Sequence, residues 1–352
     1  METSSKHILV DIGHPAHVHL FRNAIKAWQV RGHQVVITTR DKDVSLDLLN
    51  AYGLPYQVVS KARRGTLGLA YEMLEHDLGV LKEAVRSHSK ILIGTSVSIT
   101  HVAPFIGATS VVFNEDDASV AKSFVRLSYP FAHKIVTPTV LNEDYGRKHI
   151  TYKGYQKLAY LHPTQFTPDP RIKERLGVGE DEPYFLMRFV SHQAAHDQGE
   201  FGMGKDLRLK LIDLLSKNGK VFITSESPLQ AEFTPYQIDV APEDMLNVLA
   251  FASTFIGDSQ SMSVEAAILG VPSLRINSFA NRCTVLQELQ NKYELNYSFF
   301  PSQEQEIFRT LKLWLEDDRL SKKWQDKRQQ MLSEKINVTP WMVDLIDNLP
   351  VS

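Results

Sequence analysis

Short, almost uncharged β-rich runs alternate with helical patterns along the whole chain, and this alternation constrains the fold more than any other feature. HILVDI, HQVVITT, YQVVS, KILIGT, TSVVFNE and HKIVTPT follow one another through the first half. Runs like these are strands of a parallel sheet whose two faces are both covered by helices. Between the first two, Leu20, Phe21, Ala24, Ile25, Ala27 and Trp28 recur at helix spacing over 17–31, and Gly32 follows as a stop signal. Strands alternating with helices predict a doubly wound α/β domain. In LHPTQFTPDP, residues 161–170, three prolines disfavour both helix and central strand, so this stretch reads as a linker. The same grammar then restarts. PYFLMRFV, KVFITSE, YQIDVA, TFIGDS and PSLRI read as strands, separated by helices such as LRLKLIDLLSKNG and PEDMLNVLAFAS. The expected division is an N-terminal α/β domain over 1–160, the linker 161–170, a second α/β domain over 171–325, and a helix over 326–352 that packs back on the first domain. Trp314, Trp324 and Trp341 are the expected anchors of the charged tail.

A chain of 352 residues favours two domains over one core. With 43% hydrophobic and 23% charged residues it has an ordinary globular composition, and a net charge of −2 supplies no field for a nucleic-acid partner. Cys283 is the single cysteine, which excludes intramolecular disulfides and cysteine-based zinc sites. METSSKHILVDIG does not read as a secretory leader, and no run of 18 apolar residues occurs. The expected setting is cytoplasmic, with at most peripheral membrane contact.

In open parallel sheets ligands bind at the carboxyl ends of the strands. FIGDSQSMSVEAAILGVPSLRI sits at such an end in the second half. Ser259, Gln260 and Ser261 fall at a helix start, where unpaired backbone N–H groups and the helix dipole suit a phosphate. Glu265 lies four residues beyond Ser261 on the same face, where a carboxylate would repel phosphate but accept bonds from a ribose diol. The competing reading has Asp258 or Ser259 merely capping the helix, with Glu265 solvated; the sequence leaves the two level. Arg188 and His192, in MRFVSHQAAHD, are placed to reach a diphosphate from the other side, where a fixed cation neutralises a leaving group without metal. A surface ion pair is the alternative for Arg188.

The first strand runs into DIGHPAHVHLF, with His14, His17 and His19 close together. On a helix His17 and His19 diverge by about 200°, a poor chelate, so no metal is expected. General-base catalysis on an acceptor hydroxyl is the better use of such a histidine; a loop histidine satisfied by backbone is the alternative. Thr95 and Ser96, in GTSVS, follow another strand and offer hydroxyls to a sugar or acceptor. VVFNEDDAS sets Asn114, Glu115, Asp116 and Asp117 at a strand end, with Asp117 read as a solvated residue preceding a helix. Lys61-Ala62-Arg63-Arg64-Gly65 is a short basic loop, either a solvated charge run or a contact for a phosphorylated or lipid-linked acceptor.

Gly257-Asp258-Ser259-x-Ser261-x-x-x-Glu265-Ala266-x-x-x-Gly270-x-Pro272 resembles the nucleotide-sugar signature of GT-B glycosyltransferases and non-hydrolysing UDP-GlcNAc 2-epimerases. That resemblance implies two Rossmann-like domains facing an interdomain cleft, a nucleoside-diphosphate sugar (UDP-linked) as donor, and no cofactor. It assigns Ser259, Gln260 and Ser261 to the phosphates and Glu265 to the ribose, and it puts Met245 and Leu246, in DVAPEDML, beside the nucleobase, with core packing of that helix as the alternative for both. The histidine loop is similar to that of the peptidoglycan-precursor GlcNAc transferases, which makes His17 the base, with His14 second. VVFNEDDAS resembles a strand-end segment whose glutamate lies near the interdomain cleft, which makes Glu115 a sugar-orienting residue or alternative base and Asn114 a sugar or acceptor contact. Gln260, Ser261 and Val264 depart from the epimerase pattern of paired glycines and paired glutamates. YKGYQKLAYLHP and MRFVSHQAAHD are similar to segments of an uncharacterised, glycosyltransferase-like family of archaea and bacteria. The implied activity is sugar transfer to a hydroxyl acceptor, as in surface polysaccharide synthesis. The rivals are a 2-epimerase and a non-catalytic nucleotide-sugar or glycan binder.

Overall fold

The computed structural model describes residues 5–41, 44–63, 65–190 and 202–350. The chain divides into two compact units, residues 1–165 with 335–352, and residues 166–334.

The first unit holds seven parallel strands: β1 (His7–Ile12), β2 (Gln34–Asp41), β3 (Gln57–Lys61), β4 (Ile91–Gly94), β5 (Thr109–Phe113), β6 (Lys134–Pro138) and β7 (His149–Tyr152). Their order is β3-β2-β1-β4-β5-β6-β7, so the winding reverses between β1 and β4. In the second unit β8 (Tyr184–Phe189), β9 (Lys220–Ser225), β10 (Thr254–Gly257), β11 (Ser273–Ile276) and β12 (Tyr297–Phe299) form a parallel sheet ordered β12-β11-β10-β8-β9. Here the reversal lies between β10 and β8. Such reversals open a crevice at the carboxyl ends of the strands.

The apolar runs pair as central strands because burial on both faces rewards them. Ile8, Leu9, Val10 and Ile12 of β1 are fully buried, each contributing about 1.5–3 kcal/mol relative to exposure. The helix Pro15–Val30 begins earlier than its apolar spacing suggests, because His14 caps it and Pro15 fits the first turn, where no N–H is needed. The terminal helix Val338–Asp347 belongs to the first unit. Lys6 Nζ donates to the carbonyls of Ile346 at 2.8 Å and of Asp347 and Leu349 at 2.7 Å. This ammonium satisfies acceptors that a helix end leaves open.

Three differences from the sequence reading have local causes. YQIDVA is not a strand: only an isolated bridge joins Gln237 to Ile223, and Pro235 and Pro242 on either side interrupt a ladder. The strands β7 and β12, HITY and YSF, are short edge strands whose polar residues hide them in the sequence. The tail is split: Leu320–Glu334 is one continuous helix of the second unit, held by Trp324 Nε1 donating to the Leu295 carbonyl at 3.0 Å. Trp324 also meets Trp314 at 4.9 Å, whereas Trp341 packs on Tyr152 in the first unit at 5.0 Å.

Candidate functional site

Two strand-end clusters, one in each unit, hold most of the residues singled out in the sequence. In the second unit β10 ends at Gly257, opposite Arg188 of β8 and Arg275 of β11. An added Cβ at Gly257 would lie 2.9 Å from the Arg188 carbonyl oxygen and 2.9 Å from the Phe255 ring, so a side chain does not fit between the strands. Asp258 is buried, and its Oδ1 accepts a bond from the Val190 amide at 2.8 Å. Asn277 donates to the Asp258 carbonyl at 3.3 Å. Asp258 therefore ties three strand ends together and is not the helix cap.

Ser259 is the cap: its Oγ accepts the Met262 amide at 3.4 Å, and its carbonyl receives the Ser263 hydroxyl at 2.7 Å. Ser259, Gln260 and Ser261 are half-buried, and no acid stands in the first turn of the helix Gln260–Leu269. An anion is thus favoured at this helix start by the dipole, with no carboxylate opposing it there. Glu265 is only 8% exposed, which removes the solvated alternative for it. Met245 is half-buried at the start of the helix Met245–Ala250, which packs beside the Gln260–Leu269 helix. His192 lies outside the described residues.

Three guanidinium groups gather around this end. Arg188 reaches Glu226 at 3.2 Å while its shielded Nε has no partner. Arg208 stands 3.7 Å from Asp258 Oδ2, over the Phe189 ring at 4.0 Å, and burial pulls its pKa down. Arg275 is fully buried; it donates to the carbonyls of Phe279, at 3.4 Å, and Ala280, while its Nε and Nη1 have no partner. Burial lowers its pKa to about 10, so it stays charged at neutral pH. The sequence reading passed over Arg208 and Arg275. A charge inside PSLRI, a strand buried on both faces, was the available signal for Arg275.

In the first unit the cluster lies at the ends of β1, β4 and β5, which are neighbours in the sheet. Asp11 is fully buried and accepts Thr38 Oγ1 at 2.7 Å and His76 Nε2 at 3.0 Å. Burial raises its carboxyl pKa, but the charge of His76 and the bonds from His76, Ser96 and Thr38 outweigh that and leave it below the ordinary value. For His76 burial again opposes the charge, and Asp11 overcomes it, raising the imidazole pKa. His76 Nδ1 meets Ser60 Oγ at 2.7 Å. Gly94 admits no side chain, since a Cβ would lie 2.6 Å from the Asp11 carbonyl oxygen. This buried net fixes the loop that carries the histidines.

His14 is exposed, and its Nδ1 accepts the Ala16 amide at 3.2 Å as the helix cap. His17 is half-buried, with Nδ1 shielded and unpartnered. Burial, then the positive charge of His14, Arg40 and Lys157, holds its pKa well below the ordinary imidazole value. It is therefore neutral at physiological pH, the protonation state a general base requires. His19 departs into the core, stacked on Tyr160 at 5.2 Å, with a pKa lowered by burial to about 3. The three histidines do not converge, and among the described residues no three His, Cys, Asp or Glu side chains form a metal site.

Thr95 Oγ1 is shielded and unpartnered, while Ser96 is engaged with Asp11. Asn114 is spent on its own turn: its amide donates to the Asp116 carbonyl at 2.8 Å and to Tyr129 Oη at 3.0 Å, and its Oδ1 accepts the Asp116 amide. Both Glu115 oxygens are engaged, one by Lys157 at 2.5 Å and the other by the Gln156 amide. Glu115 thereby holds Lys157 and Gln156, residues the sequence reading did not single out, and Gln156 Nε2 is itself buried without a partner. Asp117 lies outside the helix Lys122–Ser128, whose first turn has no acid.

Two comparisons of structure extend this picture. Over 97% of this chain and all of the other, the fold matches UDP-GlcNAc 2-epimerase from Neisseria meningitidis bound to UDP-GlcNAc, with a TM-score of 0.67 at 11% identity. Acinetobacter baumannii MurG matches 98% of this chain and all of its own, with a TM-score of 0.61 at 17% identity. The fold is GT-B, two parallel-sheet α/β domains. In sequence, an uncharacterized protein of Methanocaldococcus jannaschii is 24% identical over 281 residues, covering 76% of this chain and 80% of that one. The family described as protein of unknown function (DUF354) matches residues 6–336, and the chain belongs to it.

Proposed function

We propose that the chain is a metal-independent glycosyltransferase that moves a sugar from a nucleoside-diphosphate donor to a hydroxyl acceptor. The observation that supports the reading is a half-buried, neutral His17 in the first turn of the helix that follows β1. In this scheme His17 takes the acceptor proton as the acceptor oxygen bonds to the anomeric carbon and the bond from that carbon to the diphosphate breaks. The Ser259–Ser261 helix start and Arg188 bear the charge that develops on the departing diphosphate. Glu265 accepts the ribose hydroxyls, and Met245 flanks the base. Thr95 Oγ1 and Gln156 Nε2 are available to sugar or acceptor hydroxyls. The acceptor is a glycan or a lipid-linked sugar, as in surface polysaccharide assembly.

A UDP-linked donor is the first choice, because the Neisseria structure holds UDP-GlcNAc and a Staphylococcus aureus structure on the same fold, MnaA, holds UDP. The occupied state of Glu115 favours transfer over 2-epimerisation, which calls for open acid and base carboxylates. The test is incubation with a panel of nucleotide sugars, with and without glycan and lipid-linked acceptors. Acceptor-dependent release of nucleoside diphosphate is the expected result. Conversion of the donor alone would make the chain an epimerase, and binding without turnover a nucleotide-sugar binder. Glu265→Ala should weaken donor binding at least tenfold by calorimetry, since a charge-assisted bond is worth about 1.5–3 kcal/mol.

A further inference from the structure

The helix Thr66–Arg86 buries Val80 and Ala84 in the core, yet much of its inner face is polar. Its buried positions include Glu72, His76 and Glu83, while Leu67, Leu69, Tyr71, Leu74, Leu78 and Val85 are exposed. Leu67, Leu74 and Leu78 are 87, 61 and 66% exposed, so little of this chain covers them. Positions 67, 71, 74, 78 and 85 repeat at helix spacing and form one stripe. The inward polarity has partners: Glu72 meets Arg40 at 2.9 Å, and His76 meets Asp11.

The stripe continues onto adjoining segments of the same layer. His101 binds Asp77 at 2.8 Å and the Leu127 carbonyl at 3.1 Å, and its ring meets Phe131 at 5.7 Å. Phe105 and Phe131 stand out from that layer at 83 and 54% exposure. Contiguous apolar surface of this kind marks an interaction face.

The surrounding charge selects the occupant. The helix carboxylates Glu72, Glu75, Asp77 and Glu83 are matched by Arg40, Arg63, His101 and Arg86. By contrast, the exposed Lys61, Lys82, Lys122 and Arg126 make no ion pair with the described residues. A second copy of the chain would bring these uncompensated cations against their own kind. An anionic bilayer neutralises them and admits the leucines and aromatics into its headgroup boundary. We propose that this outer face of the layer, from the Thr66–Arg86 helix to Phe131, docks the protein on an anionic lipid surface. The proposal does not depend on the sugar-transfer reading.

Co-sedimentation of the full chain with vesicles tests it, using phosphatidylcholine alone and with about one third phosphatidylglycerol. The expected result is binding at least about tenfold stronger to the anionic vesicles, weakening as salt rises from about 0.1 to about 0.5 M. Leu74→Glu with Leu78→Glu should cut binding at least about tenfold. Lys82→Gln with Lys122→Gln should cut it about 25-fold, roughly fivefold per cation. Val30→Glu, at an 89% exposed position on another helix, should leave it unchanged, and circular dichroism should show every variant folded. No binding to anionic vesicles, or equal loss in Val30→Glu, overturns the proposal. So does a dimer in lipid-free solution that Leu74→Glu with Leu78→Glu splits, which would assign the face to a second copy.

Discussion

His76→Leu is the sharpest single perturbation of the first unit. The side chains of Asp11 and His76 are 0 and 10% exposed, and their contact is 3.0 Å. Removing the imidazole leaves a buried carboxylate with only hydroxyl donors from Thr38 and Ser96. Breaking one side of a buried pair costs about 3–5 kcal/mol. For a unit of this size about 2–4 °C follow each kcal/mol, so the melting point of the first unit should fall by about 6–20 °C. Because Trp28 is buried in this unit, tryptophan fluorescence is one readout, with hydrogen exchange on β1 as the second. The pH dependence gives an independent check. His76 has a raised pKa, so its contribution is complete below about 6.5 and is lost as pH climbs through the raised value. Asp11 has a lowered pKa, so its contribution is complete above about 3.9 and is lost as pH falls through the lowered value. Wild type should therefore lose stability as pH climbs through the raised His76 value, and His76→Leu should not show that loss. The double variant Asp11→Asn with His76→Leu should recover part of the stability, because no orphaned charge remains. A fall below about 1 kcal/mol in His76→Leu, or an alkaline loss that persists in it, would refute the buried charged pair.

Two further outcomes follow from the sites. If His17 is the base, kcat/KM should stay flat as pH is lowered from about 8 past about 6.5, because its proton affinity is held well below the ordinary value; an acid limb centred at about 6.5 would show an unperturbed imidazole instead. Arg275→Met should leave thermal stability unchanged or raise it by up to about 4 kcal/mol, since it removes a buried charge with two unpaired nitrogens; a drop above about 2 kcal/mol would mean that the bonds to the Phe279 and Ala280 carbonyls outweigh desolvation.

The central strands were legible because burial on both faces leaves a run of Val, Ile and Leu, as in HILVDI and KILIGT. Neither β7 nor β12 was legible, because an edge strand is selected by one neighbour and tolerates HITY or YSF. YQIDVA misled for the complementary reason. Its alternation suits a half-buried strand, yet the prolines on either side restrict pairing to a single bridge. Near the strand ends, cap chemistry was legible: Ser259 was one of two candidate caps, and the turn before the first helix was read around His14. What escaped was chemistry assembled across the sheet. Gln156 and Lys157 follow β7 but are held by Glu115 after β5, a relation that sequence spacing cannot carry.

The same limit explains why local patterns mislead about the Thr66–Arg86 helix. Its apolar stripe reads as a core face, and by that rule Leu74 and Leu78 should be inside. The sheet decides otherwise, because Asp11 is fixed in the β1 interior and needs a cation, and only this helix brings His76 to it. With Arg40 pairing Glu72 one turn earlier, two charged anchors join the buried Val80 and Ala84 in setting the helix rotation. The leucines are then turned outward as a consequence of pairing two buried ions. A polar net that steadies the histidine loop and an apolar surface on the opposite side of the same helix are therefore one choice of rotation. Restoring a conventional interior, by His76→Leu or Glu72→Leu, would disturb the loop and the outer face together.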